Sequence, residues 1–467
     1  MSTPITTVHV LVCPYPSSGH IIPLIDLTRR LLTRGLTVTF VVTPTNLPLL
    51  QPLLSSHPPS SLQPLVLSIP ETTISTSHRL LSIIRATREH HFPALLDWFR
   101  SHPSPPVAII SDFFLGWTHH FAGEIGIKRL VFSPSGAISH CVSFSLWQDL
   151  PKIDNPDDVN SPISFPNVPN CPVYPWWQLN SVYRSGKEGD PDWELYRSIN
   201  QANKASWGAV LNSFADLESV YLEHLKKEMG HDRVWAVGPL LPPSDDDDDD
   251  VGPFDRGGSS SLPSHVVMKW LDARDFRSVV FVCFGSRTFL TTSQMDALTA
   301  ALEHSGVHFI LSVRPPNKKQ EGDDHGEIPE GFEDRTADRG LVIKGWAPQV
   351  AILRHRAVGA FLTHCGWNSL MEGLAAGVVM LTWPMGADQF TNAKLLVDQL
   401  GVGFRVGEES KIIPRPIELS SLLVESLDEN RPEWGRAKVL SDKALGAVKG
   451  GSSDKDLDDL VKWLSEL

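Results

Sequence analysis

The sequence predicts an α/β protein built from two doubly wound parallel sheets. Short apolar runs that end in polar turn residues and lead into helical spacing recur from residue 8 to residue 237. The same alternation restarts at Ser278 and continues to Val406. Between the two arrays, residues 242–264 carry prolines, an aspartate block, glycines and a serine run, a composition that cannot bury a core. A chain of 467 residues has length for two or three domains. The expected division is therefore 1–241, a linker at 242–264, and 265–452, with a terminal helix at 453–467 whose Leu457, Leu460, Val461 and Leu464 share one face and need a surface to pack on.

In the first array, Val8–Cys13 reads as a strand and Pro14–His20 as its turn. Leu24, Leu27, Thr28 and Leu31 then mark a helix that stops at Gly35, with Pro23 expected in its first turn. His20 thereby falls in the loop leaving the carboxyl end of the first strand, where open parallel sheets place ligands. Thr37–Thr43 is the next strand, and residues 51–106 give no clear element. Val107–Asp112 is a buried-type strand ending in a carboxylate, followed by Phe113, Phe114 and Trp117; by pattern alone Asp112 serves a site or caps a helix. Leu130–Ser133, Ala209–Asn212 and Val234–Val237 complete the set of strands. Residues 149–192 are irregular and aromatic, with Tyr174, Trp176 and Trp177, and suit either a pocket wall or packing on a sheet edge.

The second array opens with Ser278–Phe284, the loop Gly285-Ser286-Arg287, a capping-box pattern at Thr291–Gln294 and a helix stop at Gly306 before Val307–Val313. Leu341–Lys344 then feeds the stretch Trp346–Gln389. Here Ala357–Leu362 is a strand, Thr363–Ser369 (THCGWNS) a polar turn, a helix follows, and Val378–Trp383 is a second strand. A polar turn between a strand and a helix start suits an anion such as a phosphate.

Charge and cysteine usage exclude several classes. The net charge of −13, six of it in the run Asp245–Asp250, argues against a nucleic-acid partner, which clustered Lys and Arg would bind. The aspartate block lacks the interspersed ligands and turn glycine of a calcium loop and reads as a solvated loop. Five scattered cysteines without zinc spacing indicate neither a metal site nor a disulfide scaffold, and a cytosolic setting is expected. No run approaches the ~20 apolar residues of a membrane span. Neither GxGxxG nor GxxxxGK passes through the first-strand loops, against a dinucleotide or P-loop site.

The stretch Trp346–Gln389, with HCGWNS at its centre and Glu372, Asp388 and Gln389 in register, resembles the signature box of plant family 1 UDP-glycosyltransferases. Pro16–His20 (PSSGH), Asp112 and Trp235–Leu240 (WAVGPL) extend that resemblance along the chain. The resemblance implies a GT-B fold of two Rossmann-like domains facing across a cleft, acceptor on the first and UDP-sugar on the second, with the last helix returning to the first. It implies that Trp346 stacks on uracil, that backbone groups around Ala347 read the uracil edge, and that Gln349 lies beside the ribose. Glu372 would accept from the ribose hydroxyls, although Ser369-x-x-Glu372 also has the form of a capping box. His364, Gly366, Asn368 and Ser369 would hold the diphosphate, with Ser286 adding a donor, while Arg287 departs from the small or amide residue expected beside it. Trp367, Asp388 and Gln389 would meet the sugar, and the closing Gln leans towards glucose, with rhamnose and xylose as alternatives.

The implied reaction is metal-independent, cofactor-free inverting transfer, in which His20 deprotonates an acceptor hydroxyl and Asp112 orients the imidazole. Tyr15, Phe113, Phe114, Trp117, Ser135, His140, Trp147 and Trp177 are candidates to line a pocket for a flat phenolic such as a flavonoid. A monomer with only small-molecule partners is expected. A non-catalytic carrier could dispense with His20 and Asp112, and a glycosidase using Asp112 and Asp388 would leave Trp346 and HCGWNS without a task.

Overall fold

The structure, a computed structural model, describes residues 8–70, 78–153, 155, 157–242, 260–314, 324–408 and 412–467. The Asp245–Asp250 run lies outside the described residues. The chain forms two compact units, one of Met1–Leu241 with Gly446–Leu467, the other of Pro242–Leu445.

Unit one is organised on a seven-stranded parallel sheet. Its strands are β1 (His9–Cys13), β2 (Thr37–Val42), β3 (Leu62–Val66), β4 (Ala108–Asp112), β5 (Lys128–Ser133), β8 (Gly208–Leu211) and β9 (Val234–Ala236). A two-stranded antiparallel hairpin of β6 (Pro162–Ser164) and β7 (Val173–Pro175) lies in the irregular aromatic stretch, where Tyr174 is buried. The sheet order is β3-β2-β1-β4-β5-β8-β9. β3 contains Pro64 and sits at the edge, the place in a sheet where a missing N–H is tolerated. From β1 the chain crosses to β2 on one side, while β4 flanks β1 on the other, so the topology reverses between β1 and β4.

The helix after β1 spans Ser18–Leu32, earlier than the sequence suggested. His20 therefore stands in its first turn rather than in a loop, and Pro23 is inside the helix. Pro23, the sixth residue of the helix, has no N–H to donate within it. The terminal helix Ser452–Ser465 packs Leu457, Leu460 and Leu464 into the same core as β1, β2 and the helix Ser18–Leu32. Its acidic face is tied by Asp454 to Arg30 at 2.5 Å, by Asp456 to the Ala236 N–H at 2.7 Å and by Asp459 to the Trp235 indole at 2.9 Å.

Unit two repeats the plan with six parallel strands: β10 (Val279–Cys283), β11 (His308–Val313), β12 (Gly340–Lys344), β13 (Val358–Thr363), β14 (Val379–Thr382) and β15 (Gly403–Arg405). The order β12-β11-β10-β13-β14-β15 again reverses, here between β10 and β13. Strands buried on both faces explain the continuous apolar runs VVFVC and VGAFLT. The capping box at Thr291 forms as read, with Gln294 N–H donating to Thr291 Oγ1 at 3.2 Å and Thr291 N–H to Gln294 Oε1 at 3.0 Å.

Candidate active site

In an open α/β sheet the crevice for ligands lies beyond the carboxyl ends of the strands at the reversal point. Both units place their singular residues there. In unit one, Asp112 closes β4 and is fully buried, and His20 Nδ1 lies 2.7 Å from Asp112 Oδ2 with its side chain 16% exposed. The other carboxylate oxygen, Oδ1, accepts from the Phe114 N–H at 2.9 Å. Asp112 is not a helix cap, since the following helix begins at Trp117 with Gly116 before it. A neutral imidazole that donates from Nδ1 to a carboxylate leaves Nε2 as a lone-pair acceptor, the state a general base needs.

Aromatic rings surround this pair. Tyr15, Phe113 and Phe114 have ring centroids 5.2, 5.8 and 5.1 Å from that of His20. His140 meets Phe113 edge-on at 5.5 Å and makes a 2.6 Å hydrogen bond from Nε2 to Ser133 Oγ. Burial lowers its pKa to about 4, so it is neutral at neutral pH. Ser135 is buried on the same turn, its carbonyl accepting from Ser133 Oγ at 2.9 Å.

The remaining acceptor candidates divide. Phe113, Phe114 and Trp177 are half-buried. Tyr15 is fully buried and meets the His20 ring edge-on. Trp117 is a core residue: its indole donates to Thr87 Oγ1 at 3.2 Å and faces Phe92. Trp147 is 4% exposed in a closed cluster with Tyr183, Trp193 and Tyr196. These three, expected to line a pocket, are buried within the unit, as are Ser135 and His140. Tyr196, 6.4 Å from Phe114, was not among the candidates. Its signal was the spacing of Trp193, Tyr196, Ile199, Asn200 and Asn203 along one helical face.

In unit two the reversal point joins the loop after β10 to the turn after β13. The His364 imidazole lies against two glycines: a Cβ on Gly285 would come 2.5 Å from His364 Cε1, and one on Gly366 2.5 Å from His364 Nε2. Cys365 between them adopts a left-handed φ of 65°, and the turn is held by Cys365 N–H to Thr363 Oγ1 at 3.2 Å and by Asn392 Nδ2 to the Cys365 carbonyl at 2.9 Å. His364 Nδ1 is buried with no hydrogen-bond partner, and burial lowers the pKa of the ring to about 4. On the other side, the Ser286 carbonyl accepts from Arg314, and Arg287 is exposed.

Gly366 caps the helix Trp367–Ala376, so the backbone N–H groups of Trp367, Asn368 and Ser369 occupy its first turn. Ser369 is thus inside the helix, and no capping box with Glu372 exists. Instead Gln349 Nε2 donates to Glu372 Oε2 at 2.6 Å and to Ser369 Oγ at 3.0 Å. Trp367 is buried, at 3% exposure. Trp346, just past β12, is half-buried and makes no ring contact among the described residues, whereas Ala347 is buried and its carbonyl accepts from the Gln349 N–H. Gln389 Oε1 closes the preceding loop by accepting from Met385 and Gly386 N–H at 2.8 and 3.0 Å, with the half-buried Asp388 beside it.

The family described as UDP-glucoronosyl and UDP-glucosyl transferase matches residues 259–409, which includes this turn. The UDP-glycosyltransferase 89B2 of Stevia rebaudiana is 50% identical, with 98% of each chain covered. The chain belongs to the plant family 1 UDP-glycosyltransferases. An Arabidopsis thaliana family member, the flavonol 3-O-glucosyltransferase UGT89B1, is also 50% identical over 99% of this chain and 97% of its own. Among solved family structures, Arabidopsis thaliana UGT89C1 complexed with UDP-L-rhamnose matches with a TM-score of 0.80 at 36% identity, covering 98% of this chain and 99% of that one. The two Rossmann-like sheets are accordingly those of a GT-B enzyme. No helix among the described residues is long and apolar enough to cross a membrane.

Proposed function

We propose that this enzyme transfers glucose from UDP-glucose to a hydroxyl of a flavonol or related phenolic with inversion at the anomeric carbon, and that His20 is the base. The observation that carries the reading is the 2.7 Å contact between His20 Nδ1 and the fully buried Asp112. His20 Nε2 takes the acceptor proton, the freed oxygen attacks the anomeric carbon opposite the diphosphate, and UDP leaves. Asp112 fixes the tautomer and stabilises the imidazolium that forms. General-base help of this kind is worth roughly 10²–10⁴ in rate.

Unit two is assigned to the donor. Trp346 offers its face to uracil, a stacking worth roughly 1–3 kcal/mol, and Glu372, oriented by Gln349, accepts from the ribose. His364, Ser286 and the first-turn N–H groups of the helix Trp367–Ala376 receive the diphosphate, with Gly366 and Asn368 forming that turn. These neutral donors and the helix terminus offset the charge that develops on departing UDP, which is why the transfer is proposed to need no metal. Asp388 and Gln389 are assigned to the sugar hydroxyls.

The glucose assignment rests on Gln389 and on the flavonol 3-O-glucosyltransferase relative; the rhamnose reading rests on the relative solved with UDP-L-rhamnose. The five cysteines are unpaired, in keeping with a reducing cytosol, and the enzyme is proposed to act as a monomer. The test is a matrix of UDP-glucose, UDP-rhamnose and UDP-xylose against flavonols, benzoic acids and terpenoid alcohols, with and without EDTA, read by mass spectrometry and anomeric proton coupling. A β-glucoside of a flavonol, formed equally with EDTA, is expected. Preference for another sugar, retained configuration or loss with EDTA overturns the corresponding part.

A further inference from the structure

Arg129, on β5, is buried to 2% exposure, yet its guanidinium makes no ion pair among the described residues. All its recorded partners are neutral. Nε donates to Ser111 Oγ at 2.9 Å and Thr118 Oγ1 at 2.8 Å, one terminal nitrogen to Ser206 Oγ at 2.6 Å and the Ala202 carbonyl at 3.2 Å, and the other to Asn203 Oδ1 at 3.0 Å. A buried cation without a carboxylate partner is costly to maintain, so its retention calls for a compensating charge nearby. Burial pulls the Arg129 pKa down to about 9, and the first charge acting against that fall is Asp112, the fully buried carboxylate of the dyad.

The hydrogen bonds converge on the same residue. Ser111 directly precedes Asp112, and Asn203, held by Arg129, donates from Nδ2 to the carbonyl of Phe113, which directly follows it, at 2.9 Å. Phe113 also faces the His20 ring at 5.8 Å. The chain is therefore gripped on both sides of the carboxylate by one guanidinium.

We propose that Arg129 is a positioning residue for the His20–Asp112 dyad: it clamps the end of β4 through Ser111 and Asn203 and puts a buried positive charge at that end of the strand. This inference rests on the proposed role of His20. Among the described residues, His20 from the helix Ser18–Leu32, Cys13 from β1 and Arg129 from β5 interact with Asp112, and His119, on the helix Trp117–Ile125, with Arg129 in turn. Cys13 is pushed up to about 12 by burial and by Asp112 and stays neutral. Removing the guanidinium takes a buried positive charge away from the dyad, and the acid limb of the rate profile is expected to move to higher pH.

The experiment compares Arg129→Met, Arg129→Lys and Asn203→Ala with wild type for kcat, the KM of UDP-glucose, and the pH profile of kcat with a flavonol acceptor. Arg129→Met is expected to lower kcat by about tenfold to hundredfold with the UDP-glucose KM unchanged, and to move the acid limb up by about one pH unit. Arg129→Lys, which restores charge, is expected to return the limb towards wild type. A wild-type kcat and limb in Arg129→Met overturn the proposal, as does a loss of kcat with an unmoved limb that Lys does not rescue. Should near-UV circular dichroism show Arg129→Met unfolded, the other two variants decide: a displaced limb in Asn203→Ala with Arg129→Lys near normal supports the clamp, and wild-type profiles in both overturn it. His20→Ala is assayed alongside. If it retains the wild-type rate, the dyad reading fails; if it is inactive while Arg129→Met is normal, only this inference falls.

Discussion

Gln349 and Glu372, 23 residues apart, are joined by a 2.6 Å hydrogen bond from the amide nitrogen of one to the carboxylate of the other. The bond ties the first turn of the helix Gln349–Arg354 to the helix Trp367–Ala376 and orients the group assigned to the ribose. Replacing Glu372 with Ala is expected to raise the UDP-glucose KM by about tenfold to hundredfold, the equivalent of about 1–3 kcal/mol for lost charge-assisted bonds. Gln349→Ala should cost less on its own. Calorimetric UDP titrations of both single variants and the double variant should give a coupling energy of about 0.5–3 kcal/mol. Strict additivity would mean that Gln349 does not orient Glu372.

The glycines that flank His364 give a steric prediction. Gly285→Ala adds a methyl 2.5 Å from the ring at a φ of 74°, and Gly366→Ala adds one 2.5 Å from Nε2. Each should weaken UDP binding at least about tenfold by driving the imidazole out of place. Gly123→Ala, with nothing within 4 Å of the new methyl, is the control and should bind UDP as wild type does.

The sheets were legible because strands buried on both faces leave continuous apolar runs, and β1, β4, β10 and β13 fall where VHVLVC, VAIISD, SVVFVCF and AVGAFL stand in the sequence. The His20–Asp112 contact and the turn at His364 were legible because polar residues that follow such runs arrive at the sheet's reversal point. Other features were not. Pro16, Ser17 and Gly19 look like loop residues, so the early helix start at Ser18 was hidden. Pro64 masked β3, which tolerates it only as an edge strand. Side-chain direction was the largest gap: nothing local distinguishes Phe114, beside His20, from Trp117, three residues on and buried against Phe92.

His140 makes acid stability testable. Its pKa is lowered from 6.5 to about 4 by burial, so below pH 6.5 the unfolded chain binds a proton that the folded chain refuses. Stability is therefore lost as pH falls from 6.5 towards 4, and this group alone accounts for about 3 kcal/mol at the lower end. Urea midpoints of His140→Phe measured from pH 7.5 to 4.5 should fall less steeply than those of wild type. Parallel curves would contradict the assignment.

The terminal helix supplies a stability prediction for unit one. Leu460 is fully buried in the core shared with β1 and the helix Ser18–Leu32. Leu460→Ala should destabilise by about 2–5 kcal/mol in urea unfolding. UDP titration below the unfolding midpoint should still report UDP binding, because the residues assigned to the donor belong to unit two.

The proposed base is His20 Nε2. The most direct measurement is the single-turnover rate of His20→Ala with UDP-glucose and a flavonol, on protein verified to bind UDP with wild-type affinity. Product formation should fall at least about 10²-fold at pH 7.5, with UDP binding unchanged. A near wild-type rate in that folded, UDP-binding protein would contradict it.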